Sequence, residues 1–71
     1  MRVNLKQARK SMHWTQQQMA QYLHVSLRLY KYIESGQVMG SISLWDALED
    51  LLGIHQRVLR ENQSGKAGNP L

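Results

Sequence analysis

Cysteine and phenylalanine are absent from the 71-residue sequence, and proline occurs once. Without cysteine, neither disulfide bonds nor thiolate metal sites are available. No segment is apolar over the roughly 20 residues that a membrane-spanning helix needs. A chain of this length forms one small domain that buries only about 60% of its unfolded surface. We therefore expect a thin margin of stability, which dimerisation would supplement.

Acidic residues are absent from the first 33 positions, although the formal net charge is only +4. The basic residues in that stretch are Arg2, Lys6, Arg9, Lys10, Arg28 and Lys31. The carboxylates all follow, at Glu34, Asp46, Glu49, Asp50 and Glu61. This distribution favours a polyanion as the partner of the N-terminal half. Taken alone, the charges fit a solvated surface with accidental clustering equally well.

The sequence holds no recognisable catalytic or metal-binding arrangement. The three histidines, His13, His24 and His55, lack the close spacing of metal-ligand pairs. Paired carboxylates and a serine–histidine arrangement are also missing. We expect no enzyme activity, no cofactor and no metal. The N-terminus lacks the layout of a signal peptide, so the expected location is the cytoplasm, without membrane contact.

Residues 15–36 carry the strongest structural pattern, that of two short helices joined by a tight turn. Thr15 is placed to cap the first helix, and Gln18 to complete a capping box. Trp14 and Met19 have the spacing of a hydrophobic staple around that cap. Apolar residues then recur as on an inward-packing helix face, at Met19, Ala20 and Leu23.

The second helix of this pair opens at Ser26, another capping residue, and Gly36 is suited to end it. Tyr30 and Ile33 form its inward side. Residues 24–25 alone separate the two helices, so the helices must cross steeply. This is the geometry of a helix-turn-helix.

Apolar patterns on both sides of this pair predict an all-α fold, a compact bundle of about five short helices. The first helix covers residues 3–12, with Val3, Leu5, Ala8 and Met12 able to face inward. The fourth begins at Ser41 or Ser43 and runs to Leu52, and the fifth covers 55–62, with Val58 and Leu59 as its apolar positions. The domain is expected to span residues 1–62. Residues 63–71 are rich in turn formers and are expected to be a flexible tail.

The two central helices share an ordered set of residues, namely Thr15-Gln16, Met19-Ala20, Leu23, Val25-Ser26, Tyr30, Ile33-Glu34 and Gly36. This set resembles the Cro/repressor-type helix-turn-helix family of bacterial and phage regulators. The resemblance runs without gaps from about Leu5 to Ile54. It implies a transcriptional regulator that binds double-stranded DNA. The chain departs from the family at His24, where glycine is usual, and in the loop 37–40, which lacks the usual basic residues and proline.

The resemblance also implies a partly buried ion pair between Arg9 and Glu34, which would join the first helix to the end of the third. Arg9 falls on or near the inner face of its helix, an unusual place for an unpaired charge. The alternative is two separate, exposed charges. We favour the pair, with a structural role.

The outer side of the helix that opens at Ser26 carries the candidate site. If Tyr30 faces the core, four residues face outward, namely Leu27, Arg28, Lys31 and Tyr32. Such a surface suits a recognition helix in the major groove of DNA. Arg28 has the fork that binds guanine O6 and N7, and Leu27 can rest on a thymine methyl group.

The resemblance implies base contacts at Leu27, Arg28 and Tyr32 and a phosphate contact at Gln16. We predict Lys31 as a further base contact, and Gln17 and Lys10 as further phosphate contacts. For any one of these residues, a solvated position on an amphipathic helix is the competing interpretation.

Two functions fit the sequence. The first is a sequence-specific regulator, taken as a repressor, that binds a pseudo-palindromic operator as a homodimer. The alternative is an antitoxin-like protein-interaction module, with a protein partner and with DNA binding secondary. For that alternative, Val38, Met39 and the Trp45 region offer candidate apolar surface.

Overall fold

The computed structural model describes residues 1–62, and this part of the chain contains five helices and no strand. The helices are α1 (Val3–Ser11), α2 (Gln16–Leu23), α3 (Leu27–Ser35), α4 (Ile42–Leu52) and α5 (Gln56–Arg60). The predicted all-α bundle of about five short helices is confirmed. The predicted tail, residues 63–71, lies outside the described residues.

Hydroxyl side chains cap the starts of α2, α3 and α4, and those of α2 and α3 are the caps that local sequence predicts. Thr15 and Gln18 each accept the backbone N–H of the other, which completes the capping box of α2. Ser26 accepts the backbone N–H three residues further on at 3.0 Å. Ser41 does the same at 3.2 Å, so α4 begins after Ser41 and not after Ser43. These bonds satisfy N–H groups that a helix start leaves without an intrahelical partner.

The fifth helix is shorter than the predicted range 55–62. It ends at Arg60, and Asn62 turns back to donate its amide N–H to the carbonyl oxygen of Gly36 at 3.0 Å. A contact with the end of α3 thus replaces the last helical turn. Leu59 is buried in the core, while its neighbour Val58 points outward and is exposed.

All five helices contribute to one core. The buried apolar residues are Leu5, Ala8, Met19, Ala20, Tyr30, Ile33, Leu44, Trp45, Leu48 and Leu59. Val3 and Met12, expected on the inner face of α1, are only half-buried. Helix α3 packs against α2 and α1, so its inner side is committed to the fold and its outer side is left free.

The loop after α3 exposes less apolar surface than the sequence suggested. Trp45 is buried, and its indole N–H donates to the carbonyl oxygen of Met39 at 2.7 Å. Val38 is half-buried. Of the three residues suggested as apolar surface, only the Met39 side chain is well exposed, at 58%.

The turn between α2 and α3 places His24 in the left-handed region, with φ 58° and ψ 39°. A side chain with a Cβ atom is strained there, and glycine is not. The backbone N–H of Val25 reaches the carbonyl oxygen of Ala20 at 3.0 Å, which closes the turn. The turn keeps its helix-turn-helix shape with histidine in place of the glycine usual in the family.

Replacing His24 by glycine is expected to stabilise the protein by about 0.5–1 kcal/mol, because it removes the Cβ strain of the left-handed residue. The expected rise in Tm is about 2–8 °C for a domain of this size. Thermal unfolding followed by circular dichroism measures the change. His24→Ala is the matched control, since it removes the imidazole but keeps the Cβ atom, and it should give no rise. Equal or lower stability of His24→Gly would contradict the strain.

Candidate nucleic-acid interface

The outer side of α3 presents the four side chains that helical spacing predicts there. Arg28 and Lys31 are exposed, Tyr32 is 37% exposed, and Leu27 is half-buried at the first turn of the helix. These four residues together line an open depression of about 530 Å³. The structure thus brings all the predicted base-contacting residues together on one surface, which we call the α3 face.

Charge on the α2–α3 pair is positive on the outside. Its one carboxylate, Glu34, is only 2% exposed and is paired with Arg9. On α4, Asp46 and Glu49 instead accept hydrogen bonds from the amide nitrogen of Gln56 on α5, at 2.8 and 3.1 Å. The α3 face therefore carries cations without a neighbouring carboxylate on its own helix pair, an arrangement that attracts phosphate.

Two of the six basic residues in the N-terminal half are buried and add nothing to the positive charge of the surface. Arg9 is buried in its ion pair, and Arg2 is only 3% exposed. The charge distribution in the sequence therefore overstates the cationic surface of this half. Lys10, Arg28 and Lys31 are the exposed cations that remain on α1 and α3, while Lys6 is half-buried.

Glu34 is the centre of a buried hydrogen-bond network that joins α1, α2 and α3. Arg9 donates from Nε to Oε2 at 2.8 Å and from Nη2 to Oε1 at 3.2 Å. The phenol of Tyr30 donates to Oε2 at 2.8 Å, and the amide nitrogen of Gln16 donates to Oε1 at 3.0 Å. Four donors thus hold one carboxylate, and the orientation of α3 relative to α1 and α2 depends on it.

The network explains the direction of the pKa shifts in this region. Burial by itself disfavours the charged form of Glu34, but the hydrogen bonds from Arg9, Tyr30 and Gln16 outweigh it and lower the pKa of the carboxyl. Burial, together with the negative charge of Glu34, raises the pKa of Tyr30 far above its usual value. Glu34 is therefore ionised and Tyr30 neutral at physiological pH.

The residues predicted to contact phosphate lie outside the depression. Gln16 is half-buried at the start of α2, and one N–H of its side-chain amide donates a hydrogen bond to Glu34. An amide nitrogen carries two hydrogens, so the second remains for an external acceptor. Gln17 and Lys10 are both exposed.

Arg2 is a buried residue whose structural role no pattern in the sequence predicts. Its guanidinium donates to the carbonyl oxygens of Ile33, Val38 (2.8 Å) and Arg60 (3.0 Å), and it lies 5.2 Å from the centre of the Trp45 ring. Burial, and then the charge of Arg60, lower the pKa of Arg2. Every residue has a carbonyl oxygen, so no sequence pattern marks these partners.

Within residues 1–62, no group of three or more acidic or histidine side chains is arranged to hold a metal ion. Over the same residues, the helices are all too short or too polar to span a membrane.

Two crossed helices with a tight turn, and a cationic outer side on the second, define a helix-turn-helix protein. The helix-turn-helix family model matches residues 5–59 of the chain. No curated protein and no solved structure matches the chain significantly. The family match covers most of the chain, which therefore belongs to the Cro/C1-type helix-turn-helix family. The protein is accordingly a DNA-binding helix-turn-helix regulator of transcription.

Proposed function

We propose that the protein reads a specific sequence in double-stranded DNA by placing the α3 face in the major groove. The observation that carries this proposal is the depression lined by Leu27, Arg28, Lys31 and Tyr32. The inner side of α3 is buried, so its outer side is the part of the helix that can meet a partner. Recognition helices of this motif contact base edges through residues of their N-terminal turns, where Leu27 and Arg28 lie.

Phosphate contacts from α1 and α2 would set the position of α3 in the groove. Gln16 and Gln17 occupy the first turn of α2, where free backbone N–H groups and the helix dipole favour an anion. Lys10 lies in the last turn of α1 and is exposed. Contacts of this kind fix the register of the protein on the duplex, while the base contacts specify sequence.

The proposed active form is a homodimer on a pseudo-palindromic operator. A single recognition helix covers too few base pairs for high specificity, and two copies related by a two-fold axis read half-sites about 34 Å apart. Dimerisation would also add stability to a domain of this size. Occupying an operator that overlaps a promoter would repress transcription.

Arg28→Ala is expected to weaken binding by about 1–3 kcal/mol at one or two base positions, because it removes a bidentate contact with a base. Selection of binding sites from random duplexes, with wild type and variant in parallel, measures the loss. Lys31→Ala should lower affinity with less dependence on position.

Arg57→Ala is the matched control for that experiment. Arg57 is exposed on α5, so its removal takes away the same charge from outside the α3 face. Its selected site should equal that of the wild type. An unchanged site for Arg28→Ala would refute the base-reading role of Arg28.

A protein-interaction function, of the antitoxin-like kind, is favoured by one observation. Met39 and Ile42, three residues apart before and at the start of α4, expose 58% and 79% of their surface. Large apolar side chains with this degree of exposure are common in contact surfaces. The double variant Arg28→Ala/Lys31→Ala separates the two functions, because a protein whose task is to bind a partner keeps its activity when DNA binding is lost.

A further inference from the structure

The α3 face is rich in hydrogen-bond donors and poor in acceptors. Arg28 and Lys31 carry donors only, and Leu27 carries neither donors nor acceptors. Among residues 1–62, the phenol of Tyr32 is the one group lining the depression that can both donate and accept. No amide and no carboxylate side chain of this described part lines it.

The other polar side chains of α3 are occupied within the fold. Ser26, its N-cap, accepts the backbone N–H of Leu29. Ser35 donates to the carbonyl oxygen of Tyr32 at 3.0 Å. Glu34 is buried and holds four hydrogen bonds from its neighbours. On α3 itself, the side chains left to meet base edges are therefore the four of the depression, while Gln16, Gln17 and Lys10 are the proposed phosphate contacts.

The bases differ in what they present to such a surface. In the major groove, guanine offers two acceptors and thymine offers one acceptor and a methyl group. Adenine presents one acceptor, N7, beside an amino group, and cytosine presents an amino group alone. The amino group is a donor that is read by the amide of asparagine or glutamine or by a carboxylate. A surface of donors and one apolar side chain complements guanine and thymine.

We infer that the base pairs under α3 are read through guanine acceptors and a thymine methyl group, and not through the amino groups of adenine or cytosine. This inference rests on the proposed major-groove function of α3. Arg28 binds O6 and N7 of a guanine, and Leu27 packs on the methyl group of a neighbouring thymine. Lys31 lies three residues after Arg28, about 4.5 Å along the helix axis. Residues three apart on a helix in the major groove reach successive bases, so Lys31 donates to an acceptor of a base pair next to the one that Arg28 contacts.

The test uses the duplex that wild-type protein selects from a random library, remade with one altered base at a time. The replacement of guanine by 7-deazaguanine removes the N7 acceptor, and that of thymine by uracil removes the methyl group. Purine in place of adenine removes the amino group. Dissociation constants are measured for wild type, Arg28→Ala and Leu27→Ala on each duplex.

One 7-deazaguanine is expected to weaken wild-type binding by about 5- to 20-fold, part of the discrimination of a bidentate contact. Arg28→Ala should not distinguish that duplex from the parent. One uracil in place of thymine should weaken wild-type binding about fourfold, the usual contribution of one buried methyl group. The same replacement should weaken the binding of Leu27→Ala less. Replacing adenine by purine should leave the dissociation constant of wild type unchanged. This holds at every base pair where Arg28→Ala or Leu27→Ala alters the base preference.

Two different failures remain distinguishable. A loss of affinity on removing the adenine amino group under α3, or no loss with either 7-deazaguanine or uracil, would overturn the inference while sequence-specific binding stands. If the library yields no preferred duplex at all, the proposed function itself fails, and the inference with it.

Discussion

Replacing Glu34 by alanine is expected to lower the free energy of unfolding by about 3–5 kcal/mol, the usual cost of breaking a buried ion pair. The substitution leaves Arg9 buried without its carboxylate and removes the acceptor of Tyr30 and Gln16. Small domains are stable by only about 5–15 kcal/mol, so the variant should lose a large part of its total stability. Urea unfolding followed by tryptophan fluorescence measures the difference.

Asp50→Ala is the control for this change, because it removes an exposed carboxylate from α4. A surface substitution of this kind should change stability by no more than about 0.5 kcal/mol. A loss of less than about 1 kcal/mol for Glu34→Ala would mean that water replaces the network at little cost, contrary to a buried ion pair.

The same carboxylate should make stability depend on pH in a known direction. Its pKa in the folded protein lies below the usual value of 4.5. A group of this kind contributes its stability above the pKa of the unfolded chain, and that stability is lost as the pH falls through the folded pKa. Wild type should therefore lose stability below about pH 4.5 more steeply than Glu34→Gln. If the stabilities of wild type and Glu34→Gln fall equally as the pH is lowered, groups other than Glu34 cause the acid sensitivity.

Replacing Arg2 by methionine should cost about 3 kcal/mol, although the new side chain keeps most of the apolar volume. The loss removes the guanidinium donor from the carbonyl oxygens of Ile33, Val38 and Arg60, of which the first keeps a backbone N–H bond. An unsatisfied buried group costs about 1–3 kcal/mol. Part of that cost is offset, because a buried cation no longer has to be desolvated. Urea unfolding again measures the change.

Two further variants show whether geometry or charge decides the effect at Arg2. Arg2→Lys keeps the charge but not the planar fork that reaches three separate carbonyl groups, so it should recover only part of the loss. Arg57→Met removes an arginine from an exposed position and should change stability by no more than about 0.5 kcal/mol. Wild-type stability in Arg2→Met would show that water satisfies the three carbonyl groups as well as the guanidinium does.

The helix-turn-helix itself follows from local sequence. The capping box at Thr15, the cap at Ser26 and the end at Gly36 depend on residues two to four positions apart. Helical spacing also places Leu27, Arg28, Lys31 and Tyr32 on one side of α3, the side that the structure leaves free. Helical spacing does not predict the depression on that side, because its shape depends on how much of each side chain is buried by its neighbours.

The remaining features come from contacts between residues far apart in the chain. Arg2 is buried by carbonyl groups 31 to 58 positions away, and Asn62 ends α5 early through a bond to Gly36. The local spacing of Ser43 and Asp46 favours a start of α4 at Ser43, and the family resemblance favours Ser41. The structure uses Ser41, and the indole N–H of Trp45 holds the loop before it through the carbonyl oxygen of Met39.

The sequence by itself thus determined the helix-turn-helix motif and the outward side of α3, because caps and helical periodicity act within about one turn. Only the tertiary structure decided that the charge of Arg2 is not available to a partner, because carbonyl oxygens from distant parts of the chain converge on its guanidinium. Arg9 is buried for a different reason, the ion pair with Glu34 that the sequence already favoured.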